Sequence, residues 1–78
     1  MRNSLSISDA SQETGLSQKQ LRAYEARGYI SEPFKVRCGE ISYRRYTAQH
    51  IAEIKAFKRF VDEGFTLQAA SKKIKEKA

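Results

Sequence analysis

The segment from Gly15 to Gly28 constrains the fold most, because it carries both the start and the stop of a helix. Ser17 is a favourable N-cap residue, and Gln20 three positions later completes a Ser-x-x-Gln capping box. Gly28 can adopt the left-handed backbone conformation that ends a helix. These local features predict a helix over residues 18–27.

The predicted helix has two chemically different sides. Leu21 defines its buried direction, with Tyr24 and Glu25 on the flanks and Leu16 placed for a hydrophobic staple. The side opposite Leu21 combines small residues with long polar side chains. A helix in a DNA major groove needs both, because small residues allow a close approach and long polar side chains reach base edges and phosphates. A solvated amphipathic helix is the alternative that this helix alone leaves open. The outward residues are Lys19, Arg22, Ala23 and Ala26, with Gln20 and Arg27 at one edge.

The charge balance favours a polyanionic partner. The chain of 78 residues is long enough for one domain, and 15 Lys and Arg against 9 Asp and Glu give a net charge of +6 with a pI near 9.7. Such a surface favours nucleic acid first and a membrane surface second. The sequence has neither an apolar run of transmembrane length nor the apolar core of a signal peptide, so we expect a cytoplasmic protein without membrane association.

Catalysis and metal binding receive little support from the residue types. Cys38 is the single cysteine, which excludes an internal disulfide and fits a reducing compartment. Cys38 and the single histidine, His50, cannot form a zinc site within the chain. The sequence contains neither a Gly-rich phosphate loop nor a nucleophile motif. We therefore expect a protein that is not an enzyme and that carries no cofactor and no metal.

A short helix is predicted to precede the central one. Ser8 is a candidate N-cap and Asp9 suits the positive end of a helix, which predicts a helix over residues 9–14. Gly15 then provides a tight turn into the helix of residues 18–27. Two helices joined by a short glycine-containing turn form a helix-turn-helix, in which the second helix reads DNA and the first braces it.

A β-hairpin is predicted after the central helix. Two runs alternate apolar and polar residues on either side of Cys38-Gly39-Glu40, which is a hairpin pattern. An isolated hairpin is marginal in water, so this one must pack on the helices as a wing. We expect its apolar side, Phe34, Val36, Ile41 and Tyr43, to face the body. We expect its polar side to face outward: Lys35, Arg37, Ser42 and Arg44.

Two further helices complete the predicted domain. Thr47 caps a helix from residue 48 to about 63, and Gly64 ends it. Thr66 caps a last helix whose apolar stripe is Leu67, Ala70 and Ile74. The lysines near its end either complement the helix dipole or form a solubilising tail. These are Lys72, Lys73, Lys75 and Lys77.

The order and spacing of several short motifs resemble the DNA-binding domain of MerR-type transcription regulators. The motifs are Leu5-Ser-Ile7, Thr14-Gly15-Leu16-Ser17, Leu21-Arg22-Ala-Tyr24-Glu25, Gly28-Tyr-Ile30, Ser42-Tyr43-Arg44-Arg45-Tyr46-Thr47 and Gly64-Phe65-Thr66-Leu67. The resemblance covers roughly residues 5–75. It implies a mainly α winged helix-turn-helix with four helices and one two-stranded β-hairpin wing. It also implies sequence-specific binding of double-stranded DNA for transcription regulation.

The resemblance further implies which residues meet DNA. The helix of residues 18–27 would read the major groove, while Tyr43 and Arg44 on the wing would grip the backbone. Arg22 has an alternative as an i,i+3 partner of Glu25, and Arg45 points opposite to Arg44 in a regular strand. The full set of predicted DNA-binding residues is Ser17, Lys19, Gln20, Arg22, Tyr24, Lys35, Arg37, Tyr43, Arg44 and Arg45.

The chain also departs from the family. We find no counterpart of the long dimerisation helix or of a small-molecule effector domain in residues 1–78, which read as a single domain. The chain could be a domain of a larger regulator, or a small stand-alone protein like the winged-helix excisionases that bend DNA. A protein-interaction module that docks an acidic partner is a third hypothesis, and a homodimer on DNA remains open.

Overall fold

A computed structural model describes residues 4–76, which form four helices and a three-stranded antiparallel sheet. Most of these residues are helical, as predicted. None of the helices in this part of the chain is both long and apolar enough to cross a membrane. The elements in chain order are β1 (Ser4–Leu5), α1 (Ile7–Thr14), α2 (Gln18–Ala26), β2 (Phe34–Cys38), β3 (Ile41–Thr47), α3 (Ala48–Asp62) and α4 (Leu67–Glu76).

The sheet contains one strand more than the predicted two-stranded wing. Its strand order is β1-β3-β2, and β1 pairs with the end of β3 through Ser4 opposite Thr47 and Leu5 opposite Tyr46. The guanidinium of Arg45 holds this strand, because its Nε and Nη2 donate to the side-chain and backbone oxygens of Ser4, each at 3.1 Å. A strand of two residues has no periodicity, so the sequence pattern could not reveal it.

The hairpin of β2 and β3 has the predicted turn but the opposite orientation. The strands pair from Phe34 opposite Arg45 to Cys38 opposite Ile41, and Gly39 takes a positive φ of 65° in the turn. Tyr46 at the base of β3 is only 1% exposed, so its side of the sheet faces the body. Side chains alternate along a strand, which puts the cations of Lys35 and Arg44 on the body side.

The prediction that the apolar side of the hairpin faces the body is therefore wrong. We name the two sides by their residues. The inner wing face holds Lys35, Arg37, Ser42 and Arg44, on the same side as Tyr46. The outer wing face holds the exposed residues Phe34, Val36, Ile41 and Tyr43.

Helix α1 begins two residues earlier than predicted. Its N-cap is Ser6, whose side chain accepts a hydrogen bond from the backbone N–H of Asp9 at 3.2 Å, so the prediction of Ser8 as the cap is wrong. Strand β1 ends at Leu5, and the extended backbone of Ser6 leads directly into the helix. The turn at Gly15 is confirmed, with φ of 81°.

Helices α2 and α3 end in the same way. Arg27 is the C-cap of α2, and the N–H groups of Gly28 and Tyr29 donate to the carbonyls of Glu25 and Tyr24 at 3.0 and 2.9 Å. This is a Schellman motif, and it requires the positive φ of 81° at Gly28. Helix α3 ends through the equivalent bonds around Gly64.

The core lies between the helices and the base of the sheet. Its largest fully buried side chains are Tyr46, Phe57, Leu21 and Ile54. Such a core supplies most of the stability of a domain this small, since burying one large apolar side chain contributes about 1.5–3 kcal/mol.

Helix α4 fastens the end of α2. The Ser71 hydroxyl donates to the carbonyl of Tyr29 and the Lys75 ammonium donates to the carbonyl of Gly28, both at 2.9 Å. The Lys73 ammonium lies over the Phe65 ring, 5.2 Å from its centroid. These two lysines therefore have structural contacts beyond those of a solubilising tail. Lys77 lies outside the described residues.

Candidate nucleic-acid interface

The N-terminus of α2 is fixed by the predicted capping box. The backbone N–H of Gln20 donates to Ser17 Oγ at 3.0 Å, and the backbone N–H of Ser17 donates to Gln20 Oε1 at 3.0 Å. Both residues are exposed, so the amide nitrogen of Gln20 and the hydroxyl of Ser17 sit at the accessible start of the helix. The cap orients the two side chains before any partner arrives.

The two sides of α2 match the prediction. Leu21 is fully buried and Glu25 is 7% exposed, which confirms the predicted phase of the helix. The opposite side is exposed along its length and consists of Lys19, Arg22, Ala23 and Ala26. Two cations at its edge and two alanines in its middle leave a low surface that another rigid surface can approach closely.

Tyr24 is held by the aromatic core. Its ring packs edge-on against Phe57 at a centroid distance of 5.3 Å and at a tilt against Tyr29 at 6.2 Å. The residue is half-buried, as expected for a side chain at the boundary of the core. Its ring is a structural element that supports α2 from one flank.

Glu25 links α2 to the wing. Its Oε1 accepts a hydrogen bond from Arg44 Nε at 2.9 Å, and its Oε2 lies 3.4 Å from Lys35 Nζ. The carboxylate side chain is 5% exposed, whereas those of Lys35 and Arg44 are 46% and 27% exposed. A buried charge needs such partners, so the inner wing face is drawn onto the end of α2.

The ion pairs of Glu25 also decide a question that the sequence left open. Arg22 was an alternative i,i+3 partner of Glu25, but both carboxylate oxygens are directed to the wing. Arg22 stays exposed on the outer side of the helix. We did not predict the role of Glu25 from the sequence. A possible signal was a single acidic residue on the buried flank of α2, followed by a hairpin with cations at every second position.

A buried tyrosine lies beneath these charges. Burial raises the pKa of Tyr46 above its ordinary value of 10.0, Arg44 opposes this rise and Glu25 adds to it, with Arg22 a smaller lowering influence. Within residues 4–76 the Tyr46 hydroxyl has no hydrogen-bond partner. The 2.9 Å contact between Glu25 and Arg44 shows that the rim of α2 and the base of the wing are close together.

The remaining predicted wing residues fall on two sides. Arg37 is exposed on the inner wing face, where its Nε donates to the carbonyl of Gly39 at 3.4 Å. Arg45 points opposite to Arg44, as expected from the alternation, and binds Ser4. Tyr43 lies on the outer wing face, directly across from Val36 and away from α2.

His50 has a structural place. Its Nδ1 accepts from the backbone N–H of Thr47 at 3.1 Å, while its Nε2 lies 3.1 Å from the carbonyl of Glu32. A neutral ring protonated on Nε2 satisfies both contacts. His50 therefore completes the capping box of α3, and its contact with Glu32 fixes the segment that precedes β2. Cys38 is exposed at the turn of the hairpin. Nowhere in residues 4–76 do three potential metal ligands cluster.

The structure therefore brings one part of the predicted set together and separates the other. The exposed side of α2 and the inner wing face form a basic surface, because the ion pairs of Glu25 join the helix to the wing. It contains Ser17, Lys19, Gln20, Arg22, Lys35, Arg37 and Arg44. Tyr24, Tyr43 and Arg45 lie beside or behind this surface.

Comparison with known proteins agrees with this architecture. The model of the MerR HTH family regulatory proteins matches residues 5–77. The chain is also similar to a relative named HTH-type transcriptional regulator CueR from Escherichia coli O157:H7. The two are 36% identical over 64 residues, which is 82% of this chain and 45% of the relative. The protein of the same name from Yersinia pestis is 38% identical over 63 residues, 81% of this chain and 43% of the relative.

The chain thus carries a helix-turn-helix domain of the kind found in DNA-binding transcription regulators. It belongs to the MerR family of regulatory proteins. It spans less than half the length of the curated relatives that it matches.

Proposed function

We propose that this chain binds double-stranded DNA sequence-specifically in transcription regulation, with α2 in the major groove and the inner wing face on the backbone. The observation that carries the proposal is the docking of the inner wing face on α2 through the ion pairs of Glu25, which puts the cations of the helix and of the wing in one basic surface. It joins a helix side low enough to enter a groove with cations placed for phosphates. The net charge of +6 supports the same polyanionic partner.

The helix supplies the groups for base reading. Lys19 and Arg22 are three positions apart and therefore project from the same side of α2. An arginine in the major groove forms two hydrogen bonds with guanine, and the side-chain nitrogen of Gln20 can donate to a base while its Oε1 accepts from the Ser17 N–H. Ala23 and Ala26 add no bulk that would hold the helix away from the bases. We assign base contacts to Arg22 and Gln20 and groove-edge contacts to Ser17 and Lys19.

The wing supplies the backbone contacts. Arg37 is exposed and Arg44 and Lys35 keep part of their surface in solvent while they bind Glu25. The buried carboxylate orients the two cations and leaves their outer donors for phosphate oxygens. Tyr24 and Arg45 act in this proposal through positioning, because one supports α2 and the other holds β1.

The proposal extends to how the chain would work in the cell. We propose a cytoplasmic, non-enzymatic DNA-binding domain that acts in pairs on DNA, in line with the family to which it belongs. Activation or repression would be decided by the DNA site and by any further domain of the protein.

The experiment that tests the proposal is a titration with DNA at several salt concentrations. A site selected from a random library is labelled, and the logarithm of the binding constant is plotted against that of the salt concentration. We expect a steep slope, about 0.9 for each phosphate neutralised, and tighter binding to the selected site than to random DNA. A slope near zero would contradict DNA binding.

A pair of charge-neutralising variants makes this test specific. Arg37→Gln should lower the slope by about one and weaken all sequences alike. Lys55→Gln also removes one positive charge. It serves as the control because Lys55 lines a groove beside Phe34, outside the surface proposed for DNA. Equal effects of the two variants would show that net charge, and not the inner wing face, determines binding.

A further inference from the structure

The segment between α2 and the wing is held by side chains of α3. We call this segment, residues 27–33, the connector. The Glu53 carboxylate accepts hydrogen bonds from the backbone N–H and the hydroxyl of Ser31, at 2.7 and 3.0 Å. One turn earlier on α3, His50 Nε2 donates to the carbonyl of Glu32 at 3.1 Å. The position of the wing relative to α2 therefore depends on two side chains of a third element.

The ring of His50 connects three parts of the fold. It packs edge-on against Phe34 at the start of β2 and against Tyr46 of β3, at centroid distances of 5.4 and 6.3 Å. Its Nδ1 accepts a hydrogen bond from the backbone N–H of Thr47, which ends β3 and caps α3. Together with the bond to the Glu32 carbonyl, these contacts fix the entry to the wing against the start of α3.

The neutral form of the ring is the one that fits this place. The backbone N–H of Thr47 is a fixed donor, so Nδ1 must be an acceptor. A proton on Nδ1 would set two N–H groups against each other at the positive end of α3. The Thr47 hydroxyl, 3.0 Å from Nδ1, can rotate to accept from a charged ring, but the N–H of Thr47 still loses its acceptor. We therefore expect a charged ring to leave its place and to release the Glu32 carbonyl.

The other ionisable groups around His50 belong to different titration ranges. Carboxylates ordinarily titrate below about pH 5, and tyrosine, lysine and arginine above about pH 9. His50 is the single histidine of the chain, so its ring is the side chain expected to change charge between about pH 5.5 and 7.5. Helix α4 contributes the apolar Ile74 to this region. The surrounding groups are Glu53 and Lys55 on α3, Tyr46 and Arg45 on β3, Glu13 on α1 and Glu32 in the connector.

We infer that His50 is a positioning residue of the wing, and that it holds the connector only while its ring is neutral. The inference rests on the proposed function, in which the wing binds the DNA backbone. Acid then loosens the wing, whereas α2 keeps its own capping box and its buried Leu21. Because phosphate contacts carry no base information, the loss of affinity is similar for all DNA sequences. Glu53 still holds Ser31, so the loss is graded and not complete.

The direction of the effect separates positioning from simple electrostatics. Protonation of His50 adds a positive charge, which by itself would tighten binding to DNA. Release of the connector weakens it. A fall in affinity with falling pH is therefore opposite to what the added charge alone produces.

Two substitutions separate the contacts of the ring from its charge. His50→Gln offers an acceptor for the Thr47 N–H and a donor for the Glu32 carbonyl, completes a Thr-x-x-Gln capping box and does not titrate. His50→Ala removes both contacts at every pH. The comparison of wild type with His50→Gln decides the inference even if His50→Ala does not fold.

The first experiment uses the free protein. The whole chain is followed by NMR between about pH 7.5 and 5.5, where the charge of the His50 ring is read from its own carbon-bound protons. As the ring becomes charged, nuclear Overhauser contacts between His50 and Phe34 should weaken. Hydrogen exchange in residues 31–38 should rise above that of His50→Gln at the same pH. Unchanged ring contacts in the charged state, or equal exchange in the two proteins, would overturn the inference.

The second experiment measures DNA binding over the same pH range at one salt concentration. We expect wild type to lose about 3–10-fold in affinity for a selected site and for random DNA alike, which corresponds to about one hydrogen bond. His50→Gln should stay within about twofold of its affinity at the higher pH, as for a surface substitution without effect. His50→Ala should bind weakly throughout the range.

The outcomes separate this inference from the proposed function. A wild-type affinity that falls no more than that of His50→Gln would overturn the role of His50 and leave the DNA proposal standing. Failure of wild type to bind DNA at either pH would contradict the DNA proposal, while the NMR titration would still decide whether the neutral ring holds the connector.

Discussion

Helix α2 and the hairpin of β2 and β3 are the two parts of this domain proposed to meet DNA, and they are built in opposite ways. The helix has caps at both ends and buries Leu21 completely. The hairpin is exposed along all of β2 and is fastened at its base, through Glu25 and Tyr46. The conformation of α2 is therefore specified by its own residues, whereas the orientation of the hairpin is specified by its contacts with the rest of the domain.

The largest expected effect tests the difference in burial. Leu21→Ala removes a fully buried side chain and should lower the free energy of unfolding by about 2–5 kcal/mol. Val36→Ala removes an exposed side chain from the hairpin and should cost less than about 1 kcal/mol. Thermal or urea denaturation of both variants measures this difference. Similar melting temperatures for the two would show that the hairpin is as tightly packed as α2.

The next effect tests the connection between the two parts. Glu25→Gln keeps the shape of the side chain but loses the charge that holds Lys35 and Arg44, so we expect a cost of about 1.5–3 kcal/mol. Hydrogen exchange should increase more in β2 and β3 than in α2. Glu13→Gln is the control, because its exposed pair with Lys55 contributes about 0–1 kcal/mol. Equal costs would contradict the role of Glu25 as the link.

The smallest expected change in the free energy of unfolding concerns the buried hydroxyl of Tyr46, which has no hydrogen-bond partner within residues 4–76. Tyr46→Phe removes a buried polar group without a partner in the described structure, so stability near pH 7 should be unchanged or rise by up to about 1 kcal/mol. A clear loss of stability would indicate a hydrogen bond to this hydroxyl.

The same variant predicts a pH dependence. Burial raises the pKa of Tyr46 in the folded state, so its neutral form contributes stability that is fully present below pH 10. This contribution is lost as the pH rises through the raised pKa. As the pH rises above 10, wild type should therefore lose more stability than Tyr46→Phe. Parallel curves for the two proteins would contradict a raised pKa.

The same contrast explains which features the sequence could predict. The capping box of Ser17 and Gln20, the glycine stop at Gly28 and the cap of α3 at Thr47 are local, and the structure confirms them. The motifs also sufficed to predict the family. Four helices and a basic surface on α2 followed from these features without any knowledge of tertiary contacts.

The orientation of the hairpin could not be predicted in this way. Alternation shows that Val36 and Lys35 lie on opposite sides, but not which side meets the body. Burial of apolar residues is usually the better guess, and here it fails. The buried carboxylate of Glu25 attracts the cationic side to the body, and Tyr46 supplies the apolar contact at the base of β3.

The missed strand β1 and the N-cap at Ser6 share one cause. Both depend on pairing of the chain start with the end of β3, where Ser4 meets Arg45. A contact between residues about forty positions apart in the sequence cannot be recognised from a local sequence pattern. The contacts of Lys73 and Lys75 could not be predicted either, because their partners, Phe65 and Gly28, lie outside α4.

The central claim is that α2 reads bases and the wing grips the backbone. The measurement that tests it most directly is the sequence preference of wild type, Arg22→Ala and Arg22→Lys in one selected DNA library at one salt concentration. We expect Arg22→Ala to lose about 1–3 kcal/mol of discrimination at one or two base pairs and to keep most of its non-specific affinity. Arg22→Lys should recover the charge but only part of the preference, because the planar guanidinium is lost. Equal losses of affinity on every sequence in both variants would make Arg22 a backbone contact, and unchanged preferences would show that α2 does not enter the groove.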